Sequence, residues 1–239
     1  MSLIELRNVA KEYHTGAGGA KAVALQGAHL NVAEGEFMAL MGPSGSGKST
    51  LLSILGGLNP PTSGEVVVDT IPVYRLSQEK LADFRREYIG FVFQQFQLIA
   101  YLTALENVML PLVITGRSQG EQREMARAVL SRVGLAGKYD RLPNQLSGGE
   151  QERVAIARAI VNDPPILLAD EPTGALDTRT GEEIMELFRN LNRDGLTIVM
   201  VTHNRENARY ATRTVEIRDG VITSGKTITS GSAITSGSG

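Results

Sequence analysis

The stretch Gly42-Pro43-Ser44-Gly45-Ser46-Gly47-Lys48-Ser49-Thr50 crowds three glycines, four hydroxyls and an ammonium into one short segment. Glycines 42, 45 and 47 let the backbone bend so that successive N–H groups point inward. A helix expected from Ser49 to Leu58 adds unpaired N–H groups and the positive end of its dipole. Such a cradle holds phosphate, with Lys48 reaching the β- and γ-phosphates of a nucleotide and the Ser49 hydroxyl ligating Mg²⁺. The spacing G-x-x-x-x-G-K-[ST] marks a site when it joins a buried strand to a helix. Phe37-Met38-Ala39-Leu40-Met41 is that strand, a continuous apolar run ending at glycine.

Phosphate binding alone does not distinguish ATPases, GTPases and kinases. Ile166-Leu167-Leu168-Ala169-Asp170-Glu171 narrows the choice, because acidic residues at the C-terminal end of a buried strand lie where open parallel sheets bind ligands. Asp170 is placed to hold the Mg²⁺ shell, and Glu171 to polarise an attacking water as general base. A bland alternative is that the Asp-Glu pair merely caps the helix after Pro172-Thr173. A second glycine-rich helix start, Leu146-Ser147-Gly148-Gly149-Glu150, precedes an apolar-faced helix from Gln151 to Val161 and lacks the lysine and magnesium hydroxyl of the first.

These residues need a scaffold, and the patterning describes one. Residues 2–9 alternate apolar and polar, with Leu3 and Val9 on one face. Ala22 to Val32 resumes the pattern after a flexible loop beginning at His14, so antiparallel strands are expected there. Glu65 to Asp69 and Tyr88 to Phe93 read as further strands. From about Ala104 to Ala136 the pattern is helical, with Ala126, Val129, Leu130 and Val133 at helical spacing. Ile166 to Ala169 and Thr197 to Val201 are buried strands flanking an amphipathic helix from about Thr180 to Asn192. Strands alternating with helices imply a parallel sheet. Asp219-Gly220 joins Thr214–Ile217 to Val221–Thr223 as a hairpin.

Composition excludes several classes. The 239 residues carry a net charge of -2, with 42% apolar content. A core of useful size is possible, and no basic field exists to attract nucleic acid. With no cysteine there is no thiolate chemistry, and a reducing compartment fits. The first residues lack a signal-peptide pattern, and no apolar run approaches transmembrane length, so the expectation is a cytosolic chain.

In their order and spacing, Gly42 to Thr50, Leu146 to Glu150 and Ile166 to Glu171 resemble the Walker A, signature and Walker B motifs of an ABC-transporter nucleotide-binding domain. The likeness covers about residues 2–222. It implies a P-loop NTPase of α/β class with a parallel-sheet core, an N-terminal antiparallel β-subdomain and an inserted helical subdomain at about 98–160. It implies further that two such domains form a head-to-tail homodimer, so that Ser147, Gly148 and Gly149 of each chain close on ATP held by the other. Tyr13 matches the aromatic residue that stacks on adenine. Gln94, rather than Gln95, matches the Q-loop glutamine that ligates Mg²⁺ and senses the transmembrane partner. Asp177, in Ala175-Leu176-Asp177, matches the D-loop at the dimer interface, and His203 the switch histidine that orients water and the γ-phosphate. Glu150 departs from the family's usual glutamine and adds negative charge near the phosphates.

Gly90 to Ile99, Leu102 to Val108 and Ala169 to Asp177 are similar to the lipoprotein-releasing (LolD) and MacB-type branch. The resemblance therefore implies an ATPase driving a separate permease for export or envelope work, from a peripheral position on the cytoplasmic face of the inner membrane. The energy subunit of an importer is the rival reading. Residues 223–239, which repeat Ile-Thr-Ser-Gly from Ile222, are expected to form a disordered tail. Gly225-Lys226-Thr227 within it lacks the glycine spacing and preceding strand of a P-loop.

Overall fold

The computed structural model describes residues 2–14 and 21–227. Most of the expected loop after His14, and the tail beyond 227, lie outside the described residues. The chain opens with β1 (Ser2–His14) and β2 (Lys21–Ala33), paired antiparallel. Ile4, Leu6 and Val9 are buried, whereas Leu3 is only partly covered. Asn8 is the reason. Its φ of 53° is left-handed and the pairing slips between Leu6 and Val9, so a bulge brings Val9 onto the face of Ile4 and Leu6. The regular alternation expected for residues 2–9, with Leu3 beside Val9, is corrected accordingly.

β3 (Phe37–Met41) leads through the glycine-rich loop into α1 (Lys48–Leu55). This helix stops at Gly56 and Gly57, short of the expected Leu58. Gly57 has φ 67°, and a Cβ on Gly56 would collide with the Phe91 ring. β4 (Ser63–Val68) and β5 (Ile71–Pro72) complete a four-stranded antiparallel sheet in the order β2-β1-β4-β5. α2 (Gln78–Tyr88) was not among the expectations. Leu81 and Phe84 are its only buried residues, set in a charged run that hides the helical period.

β6 (Ile89–Val92) precedes the helical insertion of α3 (Ala104–Met109), α4 (Gln119–Arg132) and α5 (Gly148–Ile160). The helical pattern expected over 104–136 is interrupted by a 3-10 turn at Leu110–Leu112 containing Pro111. It restarts under a capping box formed by Ser118 and Glu121.

The chain then returns through β7 (Ile166–Asp170), α6 (Thr178–Arg193), β8 (Thr197–Thr202), α7 (Arg205–Ala208), β9 (Arg213–Arg218) and β10 (Val221–Thr227). β10 pairs with β9 as far as Thr227 opposite Arg213. The domain boundary expected at 222 thus falls inside a strand, because the Asp219-Gly220 turn, with both φ values positive, sends the chain back along β9.

The second sheet runs β10-β9-β3-β8-β7-β6, parallel except for the final hairpin. Both of its faces are covered, as near-continuous apolar strands require. Phe37, Ala39, Leu167, Ala169, Ile198 and Met200 enter one core cluster with the helices of the insertion and α6. Their neighbours Met38, Leu40, Ile166, Leu168, Val199 and Val201 enter the other, against α1 and the antiparallel sheet. α6 buries Ile184, Met185, Phe188 and Leu191, and the Phe188 ring stacks on Phe37 at 6.5 Å between centroids. A fully buried side chain of this size contributes roughly 1.5–3 kcal/mol, so α6 is held by packing more than by propensity.

Candidate functional site

The parallel register places Met41 beside Thr202 and Asp170 beside Val201. The loops that leave β3, β8, β7 and β6 therefore emerge at one edge of the sheet, outside its carboxyl ends. A cavity of about 560 Å³ opens there, lined by Ala24, Ser44, Gly45, Gly47, Lys48, Ser49, Thr50, Gln94, Asp170, Glu171, Val201 and His203.

The glycine-rich loop is shaped by close approaches. Gly47 has φ 101°, and a Cβ there would collide with the Ala24 carbonyl. Gly45 has φ 77° in open space. A Cβ on Gly42 would collide with the Ile217 carbonyl, and the Gly220 N–H donates to the Ser46 carbonyl at 3.0 Å, so the terminal hairpin braces the loop. Ser46 is buried, and its Oγ has no hydrogen-bond partner among the described residues. Lys48 is only 8% exposed. Its ammonium donates to the carbonyls of Gly42 at 2.9 Å and Pro43 at 2.8 Å, which aims it across the mouth of the loop.

Opposite the loop, Ser49 Oγ donates to Asp170 Oδ1 at 3.3 Å. Burial pushes the Asp170 carboxyl above its ordinary range; the Ser49 hydrogen bond opposes this, the Glu171 charge adds to it, and the Lys48 charge opposes it. Glu171 has φ 49°, an uncommon conformation for a residue with a side chain, and its N–H donates to the Val201 carbonyl at 3.0 Å. Strain of this kind is retained where the surroundings fix the backbone, and here it turns the carboxylate towards β8. Glu171 Oε1 accepts from the His203 N–H at 3.0 Å and lies 2.7 Å from His203 Nδ1. Oε2 accepts from the Thr202 hydroxyl at 3.3 Å. A carboxylate on Nδ1 selects the Nδ1–H tautomer and leaves Nε2 an acceptor.

Tyr13, Ser147, Gly148, Gly149 and Asp177 lie outside this cavity. Tyr13 is 40% exposed on β1; its hydroxyl accepts from Asn59 Nδ2 at 2.7 Å, and the Lys11 ammonium lies 5.1 Å from its ring centroid. Ser147 is the N-cap of α5, with Gly148 and Gly149 in its first turn. A Cβ on Gly149 would collide with the Thr180 side chain, so α5 and α6 are tightly apposed there. Asp177 caps α6, accepting from the Thr180 N–H at 3.0 Å and from its hydroxyl at 2.6 Å; these bonds hold its carboxyl below the usual range. Gln94 lines the cavity and Gln95 does not.

Sequence patterning missed Arg158 on α5, whose guanidinium donates to the carbonyls of Phe96 at 2.8 Å and Gln97 at 2.6 Å. Both acceptors have left-handed φ, 50° and 48°. A lone cation within the otherwise apolar run from Val154 to Val161 was the available signal.

The donor chemistry fits the groups expected of the site. Loop N–H groups, Lys48 and the glycine clearance suit a polyphosphate, while the oxygens of Ser49, Asp170 and Gln94 suit a hard divalent cation. The family profile described as ABC transporter matches residues 25–174. The chain belongs to the ABC transporter ATP-binding family. This ABC ATPase is 52% identical over 225 residues to an uncharacterized ABC transporter ATP-binding protein, MJ0796 of Methanocaldococcus jannaschii, covering 92% of this chain and 95% of that one. It is 50% identical over 223 residues to a macrolide export ATP-binding/permease protein, MacB of Rhodopirellula baltica, covering 92% of this chain and 32% of MacB. Among solved structures, a dimeric post-hydrolysis state of the MJ0796 cassette with ADP and Pi superposes with a TM-score of 0.86 at 49% identity, covering 94% of this chain and 98% of that chain.

Proposed function

We propose that this ABC ATPase works as an ATP-bridged homodimer that powers a separate transmembrane permease in a MacB- or LolD-like export or envelope system. The observation that carries the reading is the meeting of Lys48, the Ser49–Asp170 pair and the Glu171–His203 pair around one cavity.

In this reading the loop N–H groups and Lys48 bind the triphosphate, and Tyr13 stacks on adenine. Ser49, Asp170 and Gln94 hold Mg²⁺, which when bound neutralises charge on the phosphoryl oxygens. Glu171 accepts a proton from water as the water oxygen bonds to the γ-phosphorus. The bond from that phosphorus to the β,γ-bridging oxygen breaks, leaving ADP and phosphate, and the proton passes to solvent. His203 keeps Glu171 Oε1 in place and presents Nε2 as a further acceptor. Ser147, Gly148, Gly149 and Asp177 serve the ATP held by the second copy.

The dimeric MJ0796 cassettes support the homodimer, and the MacB kinship supports the export branch. A groove bordered by Phe91, Phe93, Pro111 and Ile114 supports the permease contact, since Ile114 is 69% exposed and its neighbour Val113 64%. Among the described residues no helix is long and apolar enough to cross a membrane, so the proposed place is against the cytoplasmic face, on a partner that does cross. Residues 1–222 with β10 to Thr227 form the ATP-binding domain in this reading, with the helical subdomain at about 98–160.

Steady-state ATP hydrolysis by the wild type beside Glu171→Gln tests the mechanism. Turnover is expected to fall by about 10²-fold or more, the scale of losing a general base. Equal turnover would rule the role of Glu171 out.

A further inference from the structure

Glu150 is the third residue of α5 and carries a formal charge at the helix start that the proposed dimer presents to phosphate. Its carboxylate is fully engaged. Oε2 accepts from the Ser147 N–H at 2.9 Å, while the Glu150 N–H donates to Ser147 Oγ at 3.3 Å, a reciprocal capping box. Oε1 is bound by the ammonium of Lys138, which reaches across from the connection between α4 and α5. Lys138 and the Ser147 N–H together hold the carboxyl below its usual range, so it is ionised and its charge is matched.

The same helix start serves two opposing requirements. A carboxylate in the first turn stabilises α5 through the cap and the dipole, but an unmatched one would repel a triphosphate brought against Ser147 and Gly149. We propose that Lys138 is a positioning residue of this helix start: by pairing with Glu150 it cancels that charge and fixes the cap, so that a second copy's ATP can approach. The inference rests on the ATP-bridged homodimer proposed above. It assigns a task in ATP-driven assembly to a residue that touches neither nucleotide nor water.

A plain surface ion pair would add little to stability, and its loss would leave the ATP dependence of dimerisation unmoved. The test uses that difference. In a Glu171→Gln background, the ATP concentration giving half-maximal dimerisation is measured by light scattering for Lys138→Met, Lys138→Arg, Glu150→Gln and Lys138→Met/Glu150→Gln. Glutamine keeps the capping box, and Lys138 is 44% exposed, so folding survives these changes.

Lys138→Met is expected to raise the midpoint roughly three- to tenfold, and by less at high salt, as for one uncompensated charge at a partly exposed site. Lys138→Arg and the double variant should return to within about twofold of the parent. A parent-like midpoint for Lys138→Met, or a defect undiminished in the double variant, would overturn the inference alone. Failure of the Glu171→Gln parent itself to dimerise with ATP would overturn the homodimer reading, and this inference with it.

Discussion

Replacing Glu152 by glutamine isolates a cost built into α5. The Glu152 side chain is fully buried, and neither carboxylate oxygen has a hydrogen-bond partner among the described residues. Burial raises its pKa from 4.5 to about 8, and the charge of Arg158 opposes the rise only in part. The folded chain keeps this proton where the unfolded chain has released it. The associated stability is therefore complete below about pH 4.5, falls as pH rises, and is lost above about pH 8. Between about pH 5.5 and about pH 8.5 the loss amounts to about 3 kcal/mol, at up to about 1.4 kcal/mol per pH unit. Glutamine has the same shape and no such proton, so the stability of Glu152→Gln relative to wild type should improve by about that amount over the same interval. Urea unfolding of both proteins at the two pH values measures it. Parallel pH profiles would refute the claim that Glu152 is neutral in the fold.

Gly47→Ala should abolish ATP binding and cost at least about 2 kcal/mol, because the new Cβ meets both a strained backbone and the Ala24 carbonyl. Gly45→Ala, strained but unobstructed, should cost only about 1 kcal/mol; nucleotide titration with thermal unfolding compares the two. Arg158→Lys loses the fork that grips the Phe96 and Gln97 carbonyls, since one ammonium is a poor substitute for a planar pair of donors. Turnover should fall by about tenfold while ATP affinity changes by less than about threefold, a split that separates loop positioning from binding. A fall in affinity with turnover intact would point to the opposite role.

The contrast among these residues explains what could be read without coordinates. The cradle from Gly42 to Thr50 and the acidic end of β7 are local: glycine spacing, one lysine and an apolar run carry their own context, and the parallel order of the strands follows from alternation with helices. The helix of the signature was equally legible, because the apolar face from Gln151 to Val161 follows directly on the glycine-rich start at Ser147-Gly148-Gly149. Tertiary consequences were not. Asn8 gives no warning of the bulge that reassigns the faces of β1. Glu152 sits in the run Glu150-Gln151-Glu152-Arg153, which looks solvated, yet α5 turns that one carboxylate inward. Lys138 meets Glu150 only because the connection from α4 folds back over the start of α5. α2 escaped notice because its two anchors, Leu81 and Phe84, are too few to set a period among charges.

In the proposed mechanism each cavity is half a site, completed by a second chain. The direct measurement is the mass and nucleotide content of Glu171→Gln in solution with and without ATP, beside Ser147→Arg in the same background. ATP should convert the Glu171→Gln chain from monomer to a dimer holding two nucleotides, while the Ser147→Arg variant binds ATP and stays monomeric. A parent that remains monomeric when saturated with ATP, or a Ser147→Arg variant that dimerises as readily, would contradict the account.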